Sequence, residues 1–252
     1  MKRIKLVIAY DGTNYSGWQV QPGKTTIEGV VNKALSELLN EEITVIGASR
    51  TDAGVHAKGN VAVFDTNSPI PPEKICYAVN RYLPWDIRVL SSMEVPADFH
   101  PRKVNSKKTY EYKIMNREIA IPTERLYSYF IYYNMDIKAM QEAAKYLIGE
   151  HDFKSFCSVK TQVSETVRTI YSLNVDKDGE MIKITVTGNG FLYNMVRIIA
   201  GTLIEVGRGL KTPEDMDKIL KGRNRRLAGP TAPAHGLTLV GIEYDMDAFL
   251  LE

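Results

Sequence analysis

The chain has 252 residues, a mass of 28.4 kDa and a formal net charge of +2, with 44% hydrophobic and 25% charged residues. A chain of this length buries roughly 70–75% of its unfolded surface, and its composition excludes wholesale disorder. No apolar run approaches the ~18 residues of a membrane-spanning helix. Two cysteines without C-x-x-C spacing and four scattered histidines exclude a disulfide framework and a zinc site, so a reduced, cytoplasmic, metal-free protein is expected.

After Lys2-Arg3, the residues Ile4, Leu6, Ile8 and Tyr10 alternate, which reads as a strand over 3–10 and not as a signal peptide. Ile27, Val30, Val31, Ala34, Leu35, Leu38 and Leu39 follow the 3.6-residue period, with Thr25-x-x-Glu28 as a capping box. Residues 43–48 and 59–65, rich in Val and Ile, are expected as strands joined by a polar, Gly-containing loop. Pro71-Pro72 opens a second helix with Ile75, Ala78, Val79, Tyr82 and Leu83 on one face, and residues 87–95 return as a strand.

The second half repeats the order. Tyr110, Tyr112 and Ile114 alternate on a strand at 108–115. Asp136 caps a helix carrying Ile137, Met140, Ala143, Ala144, Leu147 and Ile148 inward, stopped by Gly149. Strands at 167–176 and 181–187 flank the turn signal Asp178-Gly179. A helix at 191–206 is apolar almost all round and so buried. A short helix at 213–221 has Thr212 as cap and Pro213 first, and a strand at 238–245 ends the pattern. Residues 119–134 form a Tyr-rich insertion. The expected class is α+β: two tandem ferredoxin-like βαββαβ halves, 1–104 and 105–252, with a mostly antiparallel central sheet and a cleft between halves.

Three features carry chemistry. The loop Ser49-Arg50-Thr51-Asp52-Ala53-Gly54-Val55-His56 holds Arg, Asp and His within seven residues, although an Asp that merely forms its own turn is the blander account. Arg197 stands among Met195, Val196, Ile198 and Ile199, where a guanidinium needs a partner, and Asp52 is the leading candidate. A buried Asp held ionised by Arg is a poised nucleophile or base. Asp11, also followed by Gly and flanked by aromatics, is the nearest competitor but lacks an evident cation. Two basic runs suit either a solvated surface or an anionic partner: Arg102, Lys103, Lys107, Lys108 and Lys113 against Glu111, and Lys218, Lys221, Arg223, Arg225 and Arg226 against Asp217. An aromatic residue in a strand usually fills the core, but beside the first run Tyr110 also fits a platform on which an unstacked base could lie, worth roughly 1–3 kcal/mol. The chain has no P-loop and no nucleophile elbow, and its Gly188-Asn189-Gly190 lacks the third Gly of a dinucleotide fingerprint.

These residues, in order, resemble the TruA family of tRNA pseudouridine synthases over nearly the whole length. The resemblance is carried by Tyr10-Asp11-Gly12, Gly17-Trp18-Gln19, Arg50 through His56, Asn80, Leu83-Pro84, Asp86-Ile87, Phe99-His100 and Arg102. It continues with Tyr110, Asp152-Phe153, Ser155-Phe156, Asn194-Met195-Val196-Arg197, Gly201-Thr202, Ala232-Pro233-Ala234 and Gly236-Leu237. Ser49 departs from the family's usual Gly and bears on the loop backbone alone. The resemblance implies conversion of uridine to pseudouridine at positions 38, 39 and 40 in the anticodon stem-loop of tRNA, by a cofactor-free homodimer. It implies Asp52 as nucleophile, Tyr110 stacked on the target base, Arg197 paired with Asp52, and Arg50 as an aid in displacing the target nucleotide. The reaction is an isomerisation, so it requires neither metal nor redox centre. A non-catalytic RNA-binding protein built from RRM-like units shares the βαββαβ order, but Gly59–Phe64 and Glu180–Thr187 lack the RNP1 aromatic string. A small-molecule enzyme on the same scaffold would bind tRNA without steep salt dependence.

Overall fold

A computed structural model describes residues 1–158 and 165–245. The fold is α+β with mostly antiparallel pairing, and the described residues fall in two compact units: Met1–Ser106 together with Leu239–Asp245, and the described part of Lys107–Thr238.

The first unit runs β1 (Lys2–Tyr10), α1 (Ile27–Leu39), β2 (Ile46–Gly47), β3 (His56–Thr66), α2 (Ile75–Val79) and β4 (Ile87–Val95). β1 pairs antiparallel with β3, from Lys2 opposite Thr66 to Tyr10 opposite Ala57, and with β4 on its other side. β2 adds to β3. The resulting order β4-β1-β3-β2 is that of the ferredoxin-like split unit. Ile4, Leu6, Ile8 and Tyr10 all point into the core, as their alternation requires. Across β1 and β3 the Arg3 guanidinium grips Asp65 at 2.7 Å, and this hydrogen bond holds the Asp65 carboxyl below its ordinary range.

Three details of this unit differ from expectation. Thr26, not Thr25, caps α1 by accepting the Gly29 N–H at 3.3 Å, and Glu28 instead accepts from Val20 N at 2.8 Å. The strand expected at 43–48 contracts to β2, because the amides of Ile43 and Val45 donate to Ser36 and Asn32 of α1 rather than to the sheet. The helix after Pro71 is a 3-10 turn followed by a five-residue α2. The Asn80 amide then exchanges two 2.9 Å bonds with Val89, which turns the chain into β4 and leaves Tyr82 exposed.

The second unit runs β5 (Ser106–Asn116), β6 (Tyr129–Ile131), α3 (Ile137–Lys145), β7 (Gly149–Asp152), β8 (Val167–Asp178), β9 (Met181–Gly188), α4 (Met195–Gly207) and α5 (Asp215–Gly222), and the chain closes with β10 (Leu237–Tyr244). β5, β9, β8 and β7 form an antiparallel ladder, with the β8–β9 hairpin turning at Gly179. β6 lies parallel to the end of β5. Asp136 caps α3 through Ala139 N, and α3 packs on β8 and α4.

β6 and β7 were not foreseen, since three- and four-residue strands are too short to show a period. The short helix near its expected place begins at Asp215, whose carboxylate accepts from Thr212 N at 2.9 Å, the reciprocal bond of a capping box. The helix expected from 191 begins at Met195, because Asn194 adopts the left-handed conformation at φ 61°. Arg197 therefore lies in the first turn of α4 rather than mid-helix. No helix among the described residues is long and apolar enough to cross a membrane.

Candidate active site

The loop between β2 and β3 is held from several sides within the first unit. The Thr51 carbonyl accepts from Trp18 N at 3.0 Å, and the Thr51 hydroxyl meets the Tyr10 hydroxyl at 2.8 Å. Asn60, fully buried in β3, donates to the Tyr10 hydroxyl at 3.3 Å and to the Ser49 carbonyl at 3.1 Å. Gly54 N reaches the Tyr15 carbonyl, and Val55 N closes a turn on the Asp52 carbonyl at 3.1 Å. Trp18 is 1% exposed and its ring stands 6.0 Å from that of Tyr10. Two glycines permit this closeness. A Cβ on Gly12 would strike the Val55 carbonyl, and Gly17 sits at φ 86° against the Thr51 carbonyl. Asp52 thus rises half-buried from a backbone that its neighbours fix, while Arg50 is exposed.

Asp11 has a different setting. Its Oδ1 accepts from Thr13 N at 3.0 Å and from the Thr13 hydroxyl, an Asx turn. His56 Nδ1 stands 3.1 Å from both Gly12 N and Asp11 Oδ1. Tyr15 donates to Asp86 at 2.7 Å, and burial first, then that carboxylate, pushes its phenol far above the usual range. The polar groups around the loop are therefore largely built into its support.

In the second unit, Tyr110 lies opposite Val186 on the buried face of β5 and is 8% exposed, with Phe191 edge-on at 5.3 Å. Tyr112 is fully buried and donates to the Pro233 carbonyl at 2.9 Å; burial raises its phenol well beyond the ordinary range. Arg197 is half-buried. Its Nε donates to the Ala232 carbonyl at 2.8 Å and its Nη1 to Asn194 Oδ1 at 3.0 Å, while Ala232 N returns a bond to the Arg197 carbonyl. The unusual Asn194 conformation thus serves two ends: it starts α4 and orients the guanidinium.

Sequence reasoning passed over Asn60 and the Tyr10–Thr51 contact. A signal for Asn60 existed, since an Asn inside the strand Gly59–Phe64 must find partners. In the sequence Arg102 takes a place in a basic run and in the family resemblance, but no place in a site. It lines, with Arg50, Trp18, Gln19, Glu28 and Gly47 among others, a pocket of about 340 Å³ inside the first unit. Among the described residues no His, Cys, Asp or Glu group of three or more is placed to hold a metal ion.

A family model described as tRNA pseudouridine synthase matches residues 6–102 and 143–245. The "tRNA pseudouridine synthase A" of Brevibacillus brevis is 49% identical over 244 residues, covering 97% of this chain and 100% of that protein. That of Ruminiclostridium cellulolyticum is 50% identical over 245 residues with the same coverage. The "tRNA pseudouridine synthase A 2" of Clostridium tetani is 49% identical over 246 residues, covering 97% and 99%. Among solved structures, an archaeal box H/ACA sRNP Nop10–Cbf5 complex aligns with 80% of this chain and 43% of that chain, at a TM-score of 0.35 and 12% identity.

Proposed function

The chain belongs to the tRNA pseudouridine synthase family, and we propose that it isomerises uridine to pseudouridine at positions 38, 39 and 40 of the tRNA anticodon stem-loop, with Asp52 as nucleophile. The observation that carries the assignment to Asp52 is the fixed loop, which presents this carboxylate while Asp11 is bound into a turn. In the reaction the N1–C1′ bond breaks, the uracil turns, and C5 bonds to C1′. The proton lost from C5 is matched by one gained at N1, so nothing is oxidised and no group leaves. Asp52 forms the transient covalent bond with the nucleotide and is released at the end.

The other roles follow the same proposal. Arg197 pairs with Asp52. In support, its cation sits in the first turn of α4, where the helix dipole presents positive partial charge and favours an anion. Tyr110 stacks on the target base and assists removal of the C5 proton, its ring braced by Phe191. Arg50, exposed two residues before Asp52, helps displace the nucleotide from its stack, a step costing a few kcal/mol. The protein is an intramolecular transferase that works without added cofactor, as a cytoplasmic homodimer.

The test is incubation of the purified protein with an unmodified tRNA transcript carrying uridine at 38, 39 and 40, without added cofactor, followed by pseudouridine mapping. Pseudouridine at those positions is the expected result. Its formation only elsewhere, or not at all, removes the reading.

A further inference from the structure

The pocket beside the catalytic loop holds two guanidinium groups without an acceptor. Among the described residues, neither the Arg50 nor the Arg102 side chain has a hydrogen-bond or ion-pair partner, although both line the same 340 Å³ space. That volume is at the small end of the roughly 300–1,000 Å³ range of ligand pockets. Gln19 adds an exposed amide. The lining carboxylate, Glu28, is engaged by Val20 N at 2.8 Å in the first turn of α1. The two arginines therefore outnumber the acid, and their planar donors suit phosphate oxygens.

Arg102 is carried on a well-braced turn. Phe99 is fully buried against Val63 and Val95, with its carbonyl held by Arg3 at 3.1 Å. The Pro101 carbonyl accepts from the Tyr244 hydroxyl at 2.9 Å, and Arg102 N donates to His100 Nδ1 at 3.2 Å. Fixing a surface turn from both sides costs conformational freedom, and a solvated arginine has no need of it.

We propose that Arg102, with Arg50 lining the same pocket, binds a backbone phosphodiester of the RNA strand that carries the target nucleotide. The placement rests on the reading of Asp52 as nucleophile, since Arg50 and Asp52 share one fixed loop. A phosphate gripped here sets the strand's register against the carboxylate. Arg102 is a positioning residue, acting on the strand and not on the reacting atoms.

The experiment measures retention of an unmodified tRNA transcript over a range of KCl, together with KM and kcat, for the wild type, Arg102→Gln, Arg102→Lys and Lys33→Gln. Lys33 is an exposed cation on α1 away from the pocket lining and controls for lost charge. Arg102→Gln should reduce the salt slope by about one and raise KM roughly tenfold, with a smaller change in kcat. Arg102→Lys should restore the slope but not the full KM, and Lys33→Gln should match the wild type. Wild-type slope and KM in Arg102→Gln overturn the proposal, as does an equal loss in Lys33→Gln. The slope is read without turnover. A wild type that binds tRNA but forms no pseudouridine therefore removes the reading of Asp52 and still decides the pocket. Should Arg102→Gln fail to fold, Arg102→Lys decides by its KM.

Discussion

Asp11 and Asp52 are both aspartates in glycine-bearing turns near Tyr10 and Trp18, yet their side chains are placed differently. The Asp11 carboxylate closes an Asx turn on Thr13 and stands beside His56, so Asn can replace it with the same acceptor oxygen. At position 52 the backbone carbonyl accepts from Val55 N, and the residue stands half-buried in a loop that its neighbours fix. Asn there keeps the shape and loses the nucleophile. Asp52→Asn should therefore lower turnover by roughly four orders of magnitude while retaining tRNA, because phosphate contacts set affinity. Asp11→Asn should keep most of both. Parallel assays of pseudouridine formation and filter retention decide between them, and near-normal turnover in the Asp52 variant would defeat the assignment.

The loop between β2 and β3 is an element without regular structure, and its rigidity comes from the segment after β1. Gly17 occupies φ 86° and a Cβ there would meet the Thr51 carbonyl, so a methyl group is strained and also pushes on the residue next to Asp52. Gly17→Ala should cost about 2 kcal/mol or more in stability and lower kcat as well. Gly23 makes the informative comparison, since it too has a positive φ, 69°, but nothing within 4 Å of its missing Cβ. Gly23→Ala should lower stability without lowering kcat. Denaturant midpoints and turnover rates check both. The seven-residue grouping of Arg50, Asp52 and His56 was readable from sequence, as were β1, α3 with its Asp136 cap, and the hairpin at Gly179. What fixes the loop was not, because Tyr10, Trp18 and Asn60 reach it through tertiary hydrogen bonds that no local period encodes. The same limit hid the start of α4: its run of apolar residues extends back to Leu192, and only the Asn194 backbone shows where the helix begins. Arg50 and Arg102 line one pocket although half a hundred residues separate them in the chain.

At the scale of the whole molecule, the first unit exposes large apolar side chains, among them Tyr77, Trp85, Leu90 and Met93. Exposure of that kind is commonly relieved by association, and the proposed homodimer predicts a sedimentation-equilibrium mass of twice 28.4 kDa. A mass of 28.4 kDa at enzyme-assay concentrations would count against it. The same unit has a second property: it is not contiguous in sequence. Residues Leu239–Asp245 group with Met1–Ser106, and there Tyr244 packs edge-on against Phe99 and bonds the Pro101 carbonyl, while Asp245 N reaches the Asn105 carbonyl. On a translating ribosome, which delivers a chain from its N-terminus at about 5–20 residues per second, the Asp52 loop and its supports emerge early. The brace behind Arg102 emerges only after the entire second unit. The half-made chain thus holds the Asp52 loop before the brace behind Arg102 is complete, and if that turn grips RNA as proposed, the grip is finished last.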